Sequence, residues 1–93
     1  MISTAVVGAG NWGRNLVRNF AAAPGSQLKY VCDLNEKTRQ ALKAQYPQAT
    51  ITDDYSAVLA DASVQAVVVA VDAPYHYKIA RQALEAGKHT YVE

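Results

Sequence analysis

The chain is predicted to be an α/β protein with a doubly wound parallel sheet of five strands in the order 3-2-1-4-5. Three observations predict it. Apolar, β-rich runs alternate with helix-patterned segments from one end to the other. A glycine-rich turn, Gly8 to Gly13, joins the first run to the first helix. The fourth run, Gln65 to Val71, is nearly all β-branched or small, the pattern of a strand covered on both faces.

Each element follows from local chemistry. Strand one is Ile2 to Val7. The next helix starts in the glycine turn and runs to about Ala23, with Leu16, Val17 and Phe20 facing inward, and Pro24-Gly25 stops it. Strand two is Leu28 to Asp33. Asn35 caps a helix that continues to Tyr46, where Pro47 ends it. A short strand lies near Thr50 to Thr52, and Asp53 and Asp54 cap a short helix that turns Val58 and Leu59 inward. After strand four, Pro74 opens a helix with Ile79, Ala80, Ala83 and Leu84 on one side. Gly87 is its C-cap, and strand five is His89 to Val92. Right-handed crossovers fix the strand order and leave strand five as an exposed edge.

Composition narrows the function classes. The 93 residues suit one domain, residues 1–93. Hydrophobic residues make up 51% and charged residues 18%, a globular balance. The net charge of +1 gives no electrostatic case for nucleic acid or an anionic membrane. No apolar run is long enough to span a bilayer, and the N-terminus carries no signal-peptide pattern. Together with the single cysteine, Cys32, read as reduced and buried, this gives a cytoplasmic expectation. The six tyrosines are not spaced as a stacking platform for bases and read as cover for a small core. His76 and His89 form no Cys/His cluster with zinc spacing, so no metal site is expected. Asp53, Asp54 and Asp61 read as helix caps and solvated loop residues.

The sharpest signal is Gly8-Ala9-Gly10-Asn11-Trp12-Gly13, a G-x-G-x-x-G turn between a strand and a helix, which makes the fold Rossmann-type. Gly8 permits the tight turn, Gly10 lets the backbone approach a pyrophosphate, and Gly13 lets the helix pack closely. The amides of Asn11, Trp12 and their neighbours point at the phosphates with the helix dipole behind them. Asp33 lies about 20 residues past the motif, where an acid accepts hydrogen bonds from the adenosine ribose. A carboxylate there repels a 2′-phosphate, so NAD is expected over NADP. Arg39 reads as a solvated helix charge, with a 2′-phosphate contact as the competing reading. Arg14 suits either a pyrophosphate partner or a surface position at a helix start. Trp12 reads as packing at the sheet end, with a cofactor cover as its alternative.

The segment Ala66 to Glu93, AVVVAVDAPYHYKIARQALEAGKHTYVE, resembles the glucose–fructose oxidoreductase and inositol dehydrogenase family (Gfo/Idh/MocA). In that family strand four leads to a Thr-Pro turn, a His, a helix ending A-L-x-A-G-K-H and a strand ending Glu-Lys-Pro. His76 matches the His, Ala83 to His89 the helix end, and Glu93 the Glu. The segment Gly8 to Phe20 is similar to members that oxidise nucleotide-linked sugars. Val71-Asp72 departs from Thr-Pro and places a carboxylate in the loop that passes the nicotinamide end of the cofactor. A helix cap is the competing reading for Asp72. For His76 a nicotinamide-pocket lining and a structural hydrogen bond are both open, and His89 reads as packing at the start of strand five. The glycine motif with its acid and the resemblance together give a cofactor-binding set: Gly8, Gly10, Asn11, Trp12, Gly13, Arg14 and Asp33 from the first, and Val71, Asp72, His76 and Glu93 from the second.

The resemblance also implies an oxidoreductase that transfers hydride between a nicotinamide dinucleotide and a secondary alcohol of a sugar or nucleotide-sugar. The family's proton-handling lysine would follow Glu93, and its substrate domain lies beyond. The 93 residues alone are therefore expected to bind cofactor without turning over substrate, and to self-associate through the bare edge of strand five. The rival class is a non-catalytic dinucleotide-sensing module, which shares the glycine motif and the acid after strand two. The Gly87-Lys88-His89 ending favours the dehydrogenase. A methyltransferase is disfavoured because Ser3 to Val7 offers no acid on strand one.

Overall fold

The computed structural model describes residues 1–10 and 13–93. Nine elements follow in strict alternation: β1 (Ile2–Val7), α1 (Gly13–Ala22), β2 (Ser26–Cys32), α2 (Glu36–Gln45), β3 (Thr50–Thr52), α3 (Tyr55–Ala60), β4 (Ala66–Val69), α4 (Ala73–Glu85) and β5 (His89–Val92). All pairings are parallel, and the strand order is β3-β2-β1-β4-β5, as the sequence predicts. β2 begins two residues before the predicted Leu28 and ends one before Asp33, whose amide still donates to the Thr52 carbonyl at 3.0 Å. β4 is shorter at both ends than the predicted 65–71.

The reversal of strand order about β1 places two helices on each face of the sheet. Val6, Val31 and Val68 point to one face and meet Leu16 and Val17 of α1 and Leu42 of α2. Ala5, Val67 and Val69 point to the other, where Val58 of α3 and Ala83 of α4 cover them. This is the period-two alternation of a strand, with both faces apolar because both are covered. Each buried valine contributes roughly 1.5–3 kcal/mol.

Helix ends obey their sequence signals in most cases. The Asn35 side chain accepts from the Thr38 amide at 3.0 Å. Gly87 has φ +78°, and the helix closes with the Lys88 amide on the Ala83 carbonyl and the Gly87 amide on Leu84. That pair of bonds is the Schellman pattern. Asp54 alone caps α3, accepting from the Ala57 amide at 3.2 Å, so the expected cap at Asp53 is corrected. Leu84, expected inside, is 63% exposed. Its neighbour Ala83 takes the buried position, and one residue rotates a helix by about 100°. His89 begins β5, but its side chain is exposed rather than packed. Of the tyrosines, Tyr46 is buried and Tyr30 and Tyr55 are half-buried, whereas Tyr75, Tyr77 and Tyr91 are exposed and cover little.

At the N-terminal ends of the strands, Asp61 anchors a polar cluster. Its carboxylate accepts from the Tyr30 hydroxyl at 2.7 Å and from the amide and hydroxyl of Ser63, and lies 3.3 Å from the Lys29 ammonium. The Ser63 and Tyr30 hydrogen bonds hold it well below the usual carboxylate range. Its carbonyl also receives the Lys88 ammonium at 2.8 Å. Lys88 is only 8% exposed, and that bond supplies the partner a buried cation needs. The reading of Asp61 as a solvated loop residue is thereby corrected.

The glycine turn is the tightest point of the fold. Gly8 has φ +90°, and a Cβ there would lie 2.9 Å from the Ala70 and Val71 backbone. A Cβ on Gly13 would lie 2.3 Å from the Gly8 carbonyl oxygen. Among the described residues, nothing lies within 4 Å of a Cβ added at Gly10. Gly8→Ala and Gly13→Ala are therefore expected to destabilise the fold by about 1–3 kcal/mol or more, from overpacking and strain. Gly10→Ala is expected to shift stability by less than about 1 kcal/mol. Chemical denaturation of the three variants checks the contrast.

Candidate cofactor site

The C-terminal ends of β1, β2 and β4 open into two adjoining clefts, of about 460 and 360 Å³. This is where an open α/β sheet offers a crevice, at the point where the strand order reverses. Gly10, Ala70, Val71 and Asp72 line both clefts. The larger adds Gly8, Cys32, Asp33, Asp53, Tyr55 and Tyr75, and the smaller adds Gly13, His76 and Glu93.

The fold thus gathers at one sheet edge the predicted residues Gly8, Gly10, Gly13, Asp33, Val71, Asp72, His76 and Glu93. Arg14 does not join them. It is exposed and lines a separate groove between α1 and α2 with Arg18 and Gln45. Asn11 and Trp12 lie outside the described residues.

Asp33 stands at the mouth of the larger cleft. Its Oδ2 accepts from the Ala9 amide at 2.7 Å and its Oδ1 from the Asn35 amide at 2.8 Å. Arg39, half-buried, donates from Nη1 to the Asp33 carbonyl at 3.0 Å. That bond corrects its reading as a solvated helix charge. His76 Nε2 pairs with the Val71 carbonyl, so the same ring makes a structural bond and lines the smaller cleft. Asp72 occupies the N-cap position of α4, as its competing reading has it, but caps with its backbone carbonyl, which accepts from the Tyr75 amide at 2.9 Å, and not with its side chain. Glu93 is held at the end of β5, where its amide donates to the Val69 carbonyl at 3.0 Å and its Oε2 accepts from the Tyr91 hydroxyl at 3.2 Å.

Several lining residues were not singled out from sequence for this site. Tyr55 begins α3, three residues before the buried Val58, and that helical spacing points it inward. Its hydroxyl donates to the Ile79 carbonyl at 2.8 Å, and burial pushes its pKa up to about 12. Tyr55 therefore lines the cleft as a protonated, neutral side chain at neutral pH. Asp53 lines the cleft beside it. Among the described residues, no group of three or more His, Cys, Asp or Glu side chains is placed to hold a metal. None of the described helices is long and apolar enough to cross a membrane.

With this geometry in hand, residues 2–93 match the family model described as the Gfo/Idh/MocA oxidoreductase family, NAD-binding Rossmann fold. The chain belongs to this family. Its match is to that family's NAD-binding Rossmann domain. It is 32% identical over 101 aligned residues to a glycosyl hydrolase family 109 protein 4 of Phocaeicola vulgatus, covering 100% of this chain and 20% of that protein. Among solved structures it matches GenD2 from gentamicin A biosynthesis in complex with NAD, with TM-score 0.90 and 34% identity. That match covers 98% of this chain and 26% of the other. An NAD-binding protein from Listeria innocua matches with TM-score 0.88 and 36% identity, covering 98% of this chain and 26% of that one. The chain thus spans about a fifth to a quarter of the length of these relatives.

Cys32 tests the protection of the cleft floor. It is 3% exposed, and burial, helped by the Asp33 carboxylate, pushes its thiol up to about 11. At pH 8 it should stay protonated and react with a disulfide reagent at least about tenfold more slowly than in the unfolded chain. Thiol titration with and without denaturant measures the ratio.

Proposed function

We propose that the two clefts hold one NAD molecule, with the adenosine ribose at Asp33, the pyrophosphate over Gly10 and the nicotinamide toward His76 and Glu93. The observation that carries this reading is the open space at Gly10 beside a fixed carboxylate at Asp33. Gly10 has room for a phosphate to meet the backbone, while Gly8 and Gly13 are already filled by protein. The donor set suits the cofactor at each part. The start of α1 at Gly13 would supply amides for phosphate. The Asp33 carboxylate accepts from ribose hydroxyls and repels a 2′-phosphate, which favours NAD over NADP. Arg39 sits next to that position, but its guanidinium already serves the Asp33 carbonyl.

Bound there, nicotinamide would accept or deliver a hydride at C4. Val71, Asp72, His76 and Glu93 would orient the ring and limit water on one side. In the parent protein the partner in hydride transfer would be the secondary alcohol of a sugar or nucleotide-sugar. Support comes from the likeness of Gly8 to Phe20 to sugar-nucleotide oxidising members and from the sugar-related name of the Phocaeicola relative. Residues 1–93 would form the cofactor domain, and the substrate pocket and proton-handling groups would come from the remainder of the parent's length. Turnover is accordingly assigned to the parent and not to these residues alone.

The test is a titration of the chain with NAD(H) and NADP(H), followed by backbone amide NMR. Saturating shifts at residues 10–14 and Asp33 with NAD(H), and weak ones with NADP(H), are expected. Gly10→Ala should weaken NAD(H) at least about tenfold, because its methyl occupies the phosphate's approach. Preference for NADP(H) would overturn the assignment of Asp33 and move Arg39 into the site.

Self-association through β5 is proposed on the same footing. Tyr91 and Val92 are 52% and 45% exposed on an edge strand, an open template for a second copy. Sedimentation at rising concentration should show a dimer, and a monomer at every concentration would sink the idea.

A further inference from the structure

We infer that Asp33 fastens the glycine turn in its binding shape before any cofactor arrives, and that Arg39 is the positioning residue that keeps Asp33 in place. The second half of Asp33's duty, receiving the ribose, rests on the NAD reading above. The fastening does not.

The carboxylate bridges two separate turns. Ala9, in the middle of the G-x-G, donates its amide to Oδ2 at 2.7 Å, and Asn35, which caps α2, donates its amide to Oδ1 at 2.8 Å. Ala9 is completely buried, so no water can replace that acceptor. The main chain of Asp33 is held on both sides as well. Its amide donates to the Thr52 carbonyl at 3.0 Å, and its carbonyl accepts from Arg39 Nη1 at 3.0 Å. The Arg39 amide in turn donates to the Asn35 carbonyl at 3.0 Å, which closes a small ring of bonds around the turn.

An ionised carboxylate has two oxygens and about four acceptor positions. One position on each oxygen is taken by a backbone amide. One on each remains, which is the number a ribose diol needs. A single side chain can therefore hold the turn and bind the sugar at the same time. A neutral replacement cannot. Serine is too short to bridge both amides, and asparagine offers one acceptor oxygen instead of two. Removing the negative charge at Asp33, the change that should lift repulsion of a 2′-phosphate, would also release the glycine turn that binds the pyrophosphate common to both cofactors. NADP affinity would then fall with NAD affinity instead of rising.

The test combines amide hydrogen exchange without cofactor and binding of NAD(H) and NADP(H), on the chain and on Asp33→Ser, Asp33→Asn and Arg39→Ala. In the unsubstituted chain the Ala9 amide should be protected and its proton shifted downfield. In Asp33→Ser it should exchange at least tenfold faster, while Val6 and Val67 in the central strands keep their protection, and both cofactors should weaken at least tenfold. Asp33→Asn should restore protection at Ala9 or at Asn35 but not at both. Arg39→Ala should speed Ala9 exchange by a smaller factor and leave the preference between the cofactors unchanged. Unchanged Ala9 exchange in Asp33→Ser, with NAD(H) alone weakened and NADP(H) tightened, would overturn the inference and leave a ribose acceptor only. Faster Ala9 exchange in a chain that binds neither cofactor would support the fastening and sink only the NAD reading. If Asp33→Ser does not fold, the unsubstituted chain still decides: an Ala9 amide that exchanges like an open loop overturns the inference.

Discussion

Four segments of chain meet at Asp33: the β1–α1 turn through Ala9, the β2–α2 turn through Asn35, the end of β3 through Thr52, and α2 through Arg39. The cleft exists because these segments are held apart and in register at one edge of the sheet. Parallel strands impose this arrangement. Each βαβ unit sends its strand ends to the same edge, so the loops that leave them converge there. The glycines complete the constraint from the other side. Gly8 lets the β1–α1 turn press against the chain just past β4, and Gly13 lets α1 pack on the Gly8 carbonyl, so neither position has room for a side chain. Between that tight contact and the Asp33 bridge, Gly10 is left with space. One turn thus contains two glycines that serve packing and one that serves access.

The two ends of the sheet use polar groups differently. At the cleft end, carboxylates and carbonyls sit among open volumes, and a ligand can add to their hydrogen bonds. At the other end, Asp61, Tyr30, Ser63, Lys29 and Lys88 satisfy one another. Such a closed network rigidifies the scaffold and offers nothing to a ligand. Between the two ends, buried valines fill both faces of the sheet and carry most of the hydrophobic contribution.

Much of this was legible in the residues. The alternation of runs and helices, the Gly8–Gly13 turn and the acid after strand two led to the strand order and to the cleft edge, because each depends on local backbone chemistry. His76 and Glu93 came from the family resemblance, and the fold brings both to the smaller cleft. What stayed hidden depends on neighbours distant in sequence. Lysine is rarely buried, so nothing local announces that Lys88 reaches the Asp61 carbonyl 27 positions away. Leu84 looked like core because its apolarity and spacing fit a helix face, but which part of α4 the sheet covers is a tertiary fact. Asp53 and Asp54 are adjacent and chemically identical, and only the path of the chain makes one a cap and the other a cleft wall. Arg39 reads as a surface charge until the Asp33 turn is built beside it.

β5 is fastened at both of its ends. Its N-terminal end follows the Schellman turn at Gly87 and the buried Lys88, both locked into the rest of the molecule. At its C-terminal end Val92 pairs with Val69 of β4, and the Glu93 amide donates to the Val69 carbonyl. β4 lies in turn between β1 and β5. Glu93, which lines the smaller cleft, is therefore tied through β4 to the middle of the sheet. The wall it gives that cleft is set by the sheet and shifts only as the sheet shifts.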